Sequence, residues 1–288
     1  MNKVKRHRTK HNFAGAEKNS LIVQLLLILV VIIVSIPIYI VIINLFKTTD
    51  VIRTSPLSFP TVFSLDSLIY VITDPYKNIW ELYLNSALVT FGGTILSVLL
   101  SSMVAYFIAR SNNRLSNFMR TYFMLGLMIP YILVYVPLAL LLRFVGLMNG
   151  GIPVLIFIYT SNTISFGVFI FTGFIRSLPR DMEESASLDG ANIYQTFWRI
   201  IFPLLKPATA TVAIFVGVAM WNDFLTPMLL GGNIQTITTG IYNAIGAHAT
   251  DWARVFAYVF MASLPLVIAF LTLQKQFISG LTSGSIKG

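Results

Sequence analysis

Six apolar runs, each long enough to cross a lipid bilayer, constrain this 288-residue chain more than any other feature. A spanning helix needs about 20 apolar residues, because the hydrocarbon core is about 30 Å thick and each residue rises about 1.5 Å. The runs cover residues 21–45, 82–108, 121–142, 151–175, 207–229 and 255–274. Only the fifth contains an ionisable group, Asp223. Barrel strands would alternate polar and apolar residues over about ten positions, and these runs do not. The expected fold class is all-α, a polytopic membrane protein with six transmembrane helices.

Composition agrees. Charged residues make up 11% of the chain, against about 25% in soluble domains, and its mean hydropathy is +0.78. There is no cysteine, and His7, His11 and His248 are too scattered for a metal cluster, so thiolate, disulfide and zinc chemistry are set aside. A net charge of +9 suggests nucleic acid at first sight. Six of the twenty basic residues, however, stand just ahead of the first apolar run, as in a cytoplasmic anchor, and no nucleic-acid partner is expected. The same region resembles a secretory signal, but a run of 25 residues exceeds the apolar part of such signals and no small-x-small cleavage site follows. It is read as a retained span.

The basic residues of the loops set the orientation. With the N-terminus inside, fifteen Lys and Arg fall on the cytoplasmic side and five on the other, which places both termini in the cytoplasm of a multi-pass plasma-membrane protein. The organisation follows: a basic cytoplasmic N-terminus at 1–20, a first span at 21–45, an extracytoplasmic loop at 46–81, a core at 82–276 and a cytoplasmic tail at 277–288. Inside the core, the cytoplasmic loop at 176–206 is long, polar and patterned.

In that loop Pro179 suits the first turn of a helix, and Asp181, Glu183 and Glu184 follow where the helix dipole favours acid. Gly190 then stops the helix. Asn192 and Gln195 occupy capping-box positions, and Ile193, Phe197, Ile200, Ile201 and Leu204 recur at helical spacing. A short acidic helix, a glycine turn and an amphipathic helix have the form of a docking element; a helix pair lying against the bilayer has the same pattern.

Glu184-Ser185-Ala186, then Gly190 after three intervening residues, then Ile200-Ile201-Phe202-Pro203 after nine more, resembles the EAA loop of bacterial ABC importer permeases, with Ser185 and Phe202 as departures of similar size or class. Asp189-Gly190-Ala191 and Phe197-Trp198-Arg199 are similar to the carbohydrate-uptake branch related to the maltose permeases, as are Trp221-Asn222-Asp223-Phe224 and the tail from Gln276 to Thr282. The resemblance covers about Leu82 to Gly288. It implies a type I permease fold whose loop inserts into a groove on a cytoplasmic ATPase, with Glu183, Glu184, Ser185, Ala186, Asp189, Gly190, Phe197 and Pro203 as coupling residues. The partners it implies are a second homologous permease, two ATPase subunits that bind ATP and magnesium, an extracytoplasmic solute-binding protein and a sugar substrate. No cofactor is expected in this chain itself. Asn85, Trp221, Asn222 and Asp223 are the candidates for the translocation pathway.

Asp223 stands 16 residues beyond Pro207, about 24 Å along a helix, which is either a functional buried acid or the outer end of the span. Tyr131, Tyr135 and Phe144 carry ring faces on which a sugar stacks, although most aromatics in such a bundle are packing and belt residues. Gly92 and Gly93 permit close helix approach, and Pro130 and Pro137 are candidate kinks. Neither a G-x-x-x-x-G-K-[ST] loop nor a nucleophile elbow occurs, so the chain is not expected to be an enzyme. The alternative, a secondary transporter or channel working without an ATPase, calls for more intramembrane carboxylates or an internal repeat than the sequence offers.

Overall fold

The computed structural model describes residues 13–74, 78–245 and 250–283; side chains are described from 21 onward, excepting 273 and 275–283. Most of the basic N-terminus and the end of the tail lie outside these residues. Helices account for the architecture, and among the described residues there is no strand, only an isolated bridge between Ile245 and Thr250. In order they are α1 (Phe13–Asn44), α2 (Thr49–Thr54), α3 (Asp66–Thr73), α4 (Ile79–Arg110), α5 (Arg114–Met128), α6 (Tyr135–Phe144), α7 (Gly151–Ser177), α8 (Asp181–Leu188), α9 (Ile193–Thr196), α10 (Phe202–Leu204), α11 (Lys206–Asn222), α12 (Leu225–Leu230), α13 (Ile237–Ala244) and α14 (Trp252–Ser283).

The bundle is organised around α4 and α7, the most extensive helix pair, with α11 packed against both. Lipid tails are as apolar as leucine side chains, so spanning helices associate through close backbone approach and small polar residues. The buried face of α4 has this composition, with Gly93, Ser97, Ser101, Ser102 and Ala105. Ser97 Oγ shares a hydrogen bond of 2.8 Å with Thr163 Oγ1 of α7. Gly167 of α7 sits against Ser101, and a Cβ there would also meet Val212 of α11 at 3.6 Å, so the three helices meet at one glycine.

By length and composition, four helices are able to cross a membrane: 21–44 within α1, α4, α7 and 252–272 within α14. The number rises to six if two bent pairs each count as one span. The second bent pair joins residues 193–204 to α11 at 75°; the first, and a separate break at Asp223, depart from the straight runs expected. Run 121–142 is divided between α5 and α6, bent by 92°. Pro130 supplies no N–H and holds Ile129 extended (ψ 117°), so α5 stops at Met128 and a 3-10 turn at Tyr131–Val134 restarts the chain as α6. Pro137 falls in the first turn of α6, where it breaks nothing. Run 207–229 begins one residue early, as α11, and ends at Asn222. There Asp223 turns extended and its carboxylate accepts from Leu225 N at 2.9 Å and from the Thr226 hydroxyl, so α12 starts afresh.

The segment at 46–81 carries the short helices α2 and α3 and is tied to the start of α14. Thr49 Oγ1 donates to Asp251 Oδ1 at 2.6 Å, Arg53 donates to Thr250 O at 3.1 Å, and Arg254 pairs with Asp251 at 2.8 Å while lying over the Tyr70 ring. Helix α1 is almost wholly apolar and exposed from Leu21 to Ile38; toward its end Tyr39 donates to Leu57 O at 3.1 Å and its last turn is packed. Asn44 Nδ2 donates to Pro56 O at 3.0 Å, and buried Lys47 donates to Ser55 O at 3.0 Å. Burial pushes the Lys47 ammonium below the usual lysine range.

Gly167→Leu is expected to lower stability by about 1–3 kcal/mol, the usual cost of overpacking a close interface. Thermal unfolding in detergent checks this, and an unchanged midpoint would contradict the three-helix junction.

Candidate functional site

The loop between α7 and α11 is built from the turn outward. Helix α8 begins at Asp181, two residues later than Pro179 suggested, with Asp181, Glu183 and Glu184 in its first turn. It ends in a Schellman arrangement: Ala191 N donates to Ala186 O at 2.9 Å, Gly190 N donates to Ser187 O at 3.1 Å, and Gly190 adopts a φ of +81°. That left-handed conformation costs an L-residue with a Cβ roughly 1 kcal/mol or more. Asn192 and Gln195 then close a capping box, each side chain accepting from the other residue's backbone N–H at 2.9 Å.

The second helical stretch does not keep one α-helical phase. Phe202 N donates to Phe197 O, a five-residue step, so a π turn at Phe197–Ile201 separates α9 from α10. The buried stripe is accordingly Phe197, Ile201 and Leu205, while Ile193 and Leu204, expected on the apolar face, are exposed. Phe197 stacks against Trp198 (4.9 Å), Phe202 (5.9 Å) and Tyr106 of α4 (5.3 Å).

A second attachment joins the loop to the same end of α4. Glu183 Oε1 pairs with Arg110 at 2.6 Å, both side chains mostly buried at 16% and 13% exposure, and Glu183 Oε2 accepts from Tyr106 Oη at 3.0 Å. Arg110 also donates to Leu178 O at 3.2 Å. Glu183 therefore faces its own bundle, not outward with Glu184. The spacing carried a signal for this: Glu183 precedes Ala186, which is buried, by three residues and shares its face of α8.

Glu184, Ser185, Asp189 and Pro203 are exposed, and a crest of apolar side chains accompanies them, which sequence reasoning missed. Leu188 at the tip is 90% exposed, with Ile193 and Tyr194 beside it at 64% and 69%. Leu188 follows Glu184 by four residues, so acid and apolar tip share one face.

The four pathway candidates separate into two groups. Asn85 is buried and donates to Gln235 O in the loop before α13 at 2.9 Å, and Trp221 of α11 donates to Ala262 O of α14 at 3.0 Å, so both tie distant segments together. Asn222 is exposed and donates only to Val218 O of its own helix. Asp223 borders a recess of about 370 Å³ lined by Tyr131, Tyr135, Tyr159, Asn162 and Thr226. Tyr135 Oη and Thr226 Oγ1 share a hydrogen bond of 2.6 Å. Tyr131 and Asn162 also border a wider open groove of about 1580 Å³ between α5 and α7. The structure thus brings Asp223 to two of the three expected aromatics, while Phe144 stands elsewhere, 89% exposed. Asn162 and Thr163 were not singled out, although Ser161-Asn162-Thr163 is a polar triplet within an apolar run. Among the described residues no group of three or more His, Cys, Asp or Glu converges as a metal site.

The model of the family described as "Binding-protein-dependent transport system inner membrane component" matches residues 97–280. The melibiose/raffinose/stachyose import permease protein MelC of Bacillus subtilis is 32% identical, over 96% of this chain and 99% of that protein. The diacetylchitobiose uptake system permease protein NgcG of Streptomyces coelicolor is 32% identical over 91% of this chain and 87% of its own length. In fold, the chain is similar to one in the crystal structure of a bacterial ABC transporter involved in the import of the acidic polysaccharide alginate. The TM-score is 0.77 at 18% identity, with 94% of this chain and 99% of that one covered.

Glu183→Ala is expected to cost about 2 kcal/mol of stability by leaving Arg110 partly buried without its carboxylate, whereas Glu184→Ala leaves stability unchanged. Thermal unfolding of both variants, and of the swapped pair Arg110→Glu with Glu183→Arg, checks this; equal midpoints for the two alanine variants would contradict it.

Proposed function

The chain belongs to the family of binding-protein-dependent transport system inner membrane components, and from that premise we propose that it is the permease subunit of an ATP-driven importer of sugars, working through the loop at 176–206. It is a membrane transport component, not an enzyme. The reading of the substrate as a mono- or oligosaccharide rests on relatives whose names specify melibiose, raffinose and stachyose, starch degradation products, and diacetylchitobiose.

The observation that carries the coupling role is the division of the loop into an anchored side and a free crest. Leu188, Ile193 and Tyr194 form a small apolar knob flanked by Glu184 and Asp189, suited to a groove with apolar walls and a basic rim on a cytoplasmic ATPase. Because Glu183 and Phe197 fasten the loop to α4, displacement of the crest is transmitted to α4, α7 and α11 as one body. Two ATPases closing on ATP and magnesium then drive alternation between outward- and inward-open arrangements. The open groove between α5 and α7 is the face offered to a second, homologous permease. A solute-binding lipoprotein or periplasmic protein delivers the sugar on the outer side. Both termini lie in the cytoplasm in this reading, following the excess of basic residues on that side.

In the recess, the Asp223 carboxylate has room to accept from sugar hydroxyls, and Tyr131 offers a ring face.

Co-purification from the native membrane tests the coupling role. The wild-type chain is expected to bring an ATPase and a second permease, and the variant Glu184→Lys with Gly190→Pro is expected to lose the ATPase. A wild type that purifies alone and transports without ATP would overturn the importer reading in favour of a secondary transporter. Asp223→Ala is expected to reduce ATP-dependent uptake about tenfold, as the loss of a charged hydrogen-bond acceptor implies, with the amount of chain in the membrane unchanged. Wild-type uptake in that variant would remove Asp223 from the pathway.

A further inference from the structure

A different recess, open to the surroundings, lies between the middle of α5 and the last turns of α7, beside Ile108 near the Arg110 end of α4. It contains two arginines, Arg120 and Arg176, and no carboxylate lines it. Arg110, nearby in the chain's end-on arrangement, has Glu183; among the described residues neither Arg120 nor Arg176 has an ion pair. Arg120 Nε is buried without a hydrogen-bond acceptor, and the hydroxyl of Thr172, a residue 8% exposed, is buried without a partner. Both border this recess. Orphaned buried donors are uncommon because each costs about 1–3 kcal/mol, and here the two belong to one small space.

The walls are of another kind. Phe123, Met124, Val168 and Phe169 are apolar, and Phe169 and Met124 are about half exposed on the outer surface of the bundle. Gly173 forms part of the lining, and a Cβ built there meets nothing within 4 Å, so open space begins at the helix backbone. Guanidinium groups and a hydroxyl at one level, with an apolar channel beside them, match an amphiphile whose anionic group sits at the membrane surface and whose chain runs into the hydrocarbon.

We propose that Arg120, Arg176 and Thr172 bind the phosphate of an anionic phospholipid, with one acyl chain lying along Met124 and Phe169. Arginine forks pair with phosphate oxygens bidentately, and basic recesses between spanning helices on the cytoplasmic side suit anionic headgroups. The apolar channel selects a lipid over free phosphate, which would leave it empty. Placement in the inner leaflet rests on the orientation proposed above; the chemistry of the ligand does not.

The test uses the full chain with the subunits that co-purify with it, delipidated in mild detergent and titrated with phosphatidylglycerol or phosphatidylcholine while bound lipid is counted by native mass spectrometry. Wild type is expected to prefer phosphatidylglycerol about thirtyfold, in keeping with about 1 kcal/mol for each of the two arginines. Arg120→Gln with Arg176→Gln is expected to abolish the preference, and Arg114→Gln, an exposed arginine outside the recess, to keep it. Gly173→Leu fills the space without changing charge and is expected to exclude the lipid, which separates a binding site from a general surface potential. The proposal is overturned if wild type shows no preference or if Gly173→Leu retains it. It is equally overturned if inorganic phosphate alone displaces the lipid at millimolar concentration, marking a free-anion site. Loss of a second permease from the double variant with lipid binding intact would show that the arginines clamp a subunit instead. None of these readouts uses transport or ATP hydrolysis, so failure here leaves the importer reading standing and failure of that reading leaves this one testable.

Discussion

The close contact of α4 with α7 at Gly167 governs what the rest of the molecule can do. In a medium where apolar side chains gain nothing by hiding from their surroundings, helices hold together only where backbones come near enough for dense packing and short polar contacts. The serines of α4 and the glycine of α7 provide both, and α11 lodges its Val212 at the same point. Every element with a functional reading hangs from this junction. The loop at 176–206 leaves the end of α7, returns through α11 and is fastened to the end of α4, so its two stems and its brace belong to the three helices that meet there.

The loop separates strength from recognition. An ion pair and an aromatic cluster, both turned inward, fix its position, and the outward face is left to small acids and an unprotected leucine. Gly190 makes the separation possible, since a left-handed residue reverses the chain within a single turn and lets α8 and α9 present different faces in different directions. The π turn contributes too: one additional residue in the helical repeat carries the buried stripe on to Leu205 and leaves Leu204 exposed.

The apolar runs were legible because their length alone answers to bilayer thickness, and the loop because glycine, capping residues and acids stand at fixed intervals. The breaks were less so. Pro130 was visible as a possible kink, yet the 92° bend depends on the 3-10 turn that follows, which no residue type announces. Asp223 was marked as an acid in a span, whereas the structure makes it the residue that ends one helix and starts another. Asn85 and Trp221, read as pathway residues, also donate to backbone carbonyls of distant segments, information that resides in tertiary contact and not in the local string. Nothing in the local string marks Leu188 as outward, since an apolar residue in a short polar helix has the look of packing; its 90% exposure is a property of the folded chain.

Helix α1 is attached to the remainder near one end, through Tyr39, which donates to Leu57 O, the buried Ile43, and Asn44, which donates to Pro56 O. A rod pinned at one end is free to lean. When a bilayer thins or thickens, a spanning helix accommodates by tilting, and here that adjustment swings the unpinned end without disturbing α4, α7 or α11. The brace that holds the loop at 176–206, Glu183 on Arg110 of α4, shares no residue with the attachments of the first helix, so the part that leans and the part that fixes the loop are separate pieces of the chain.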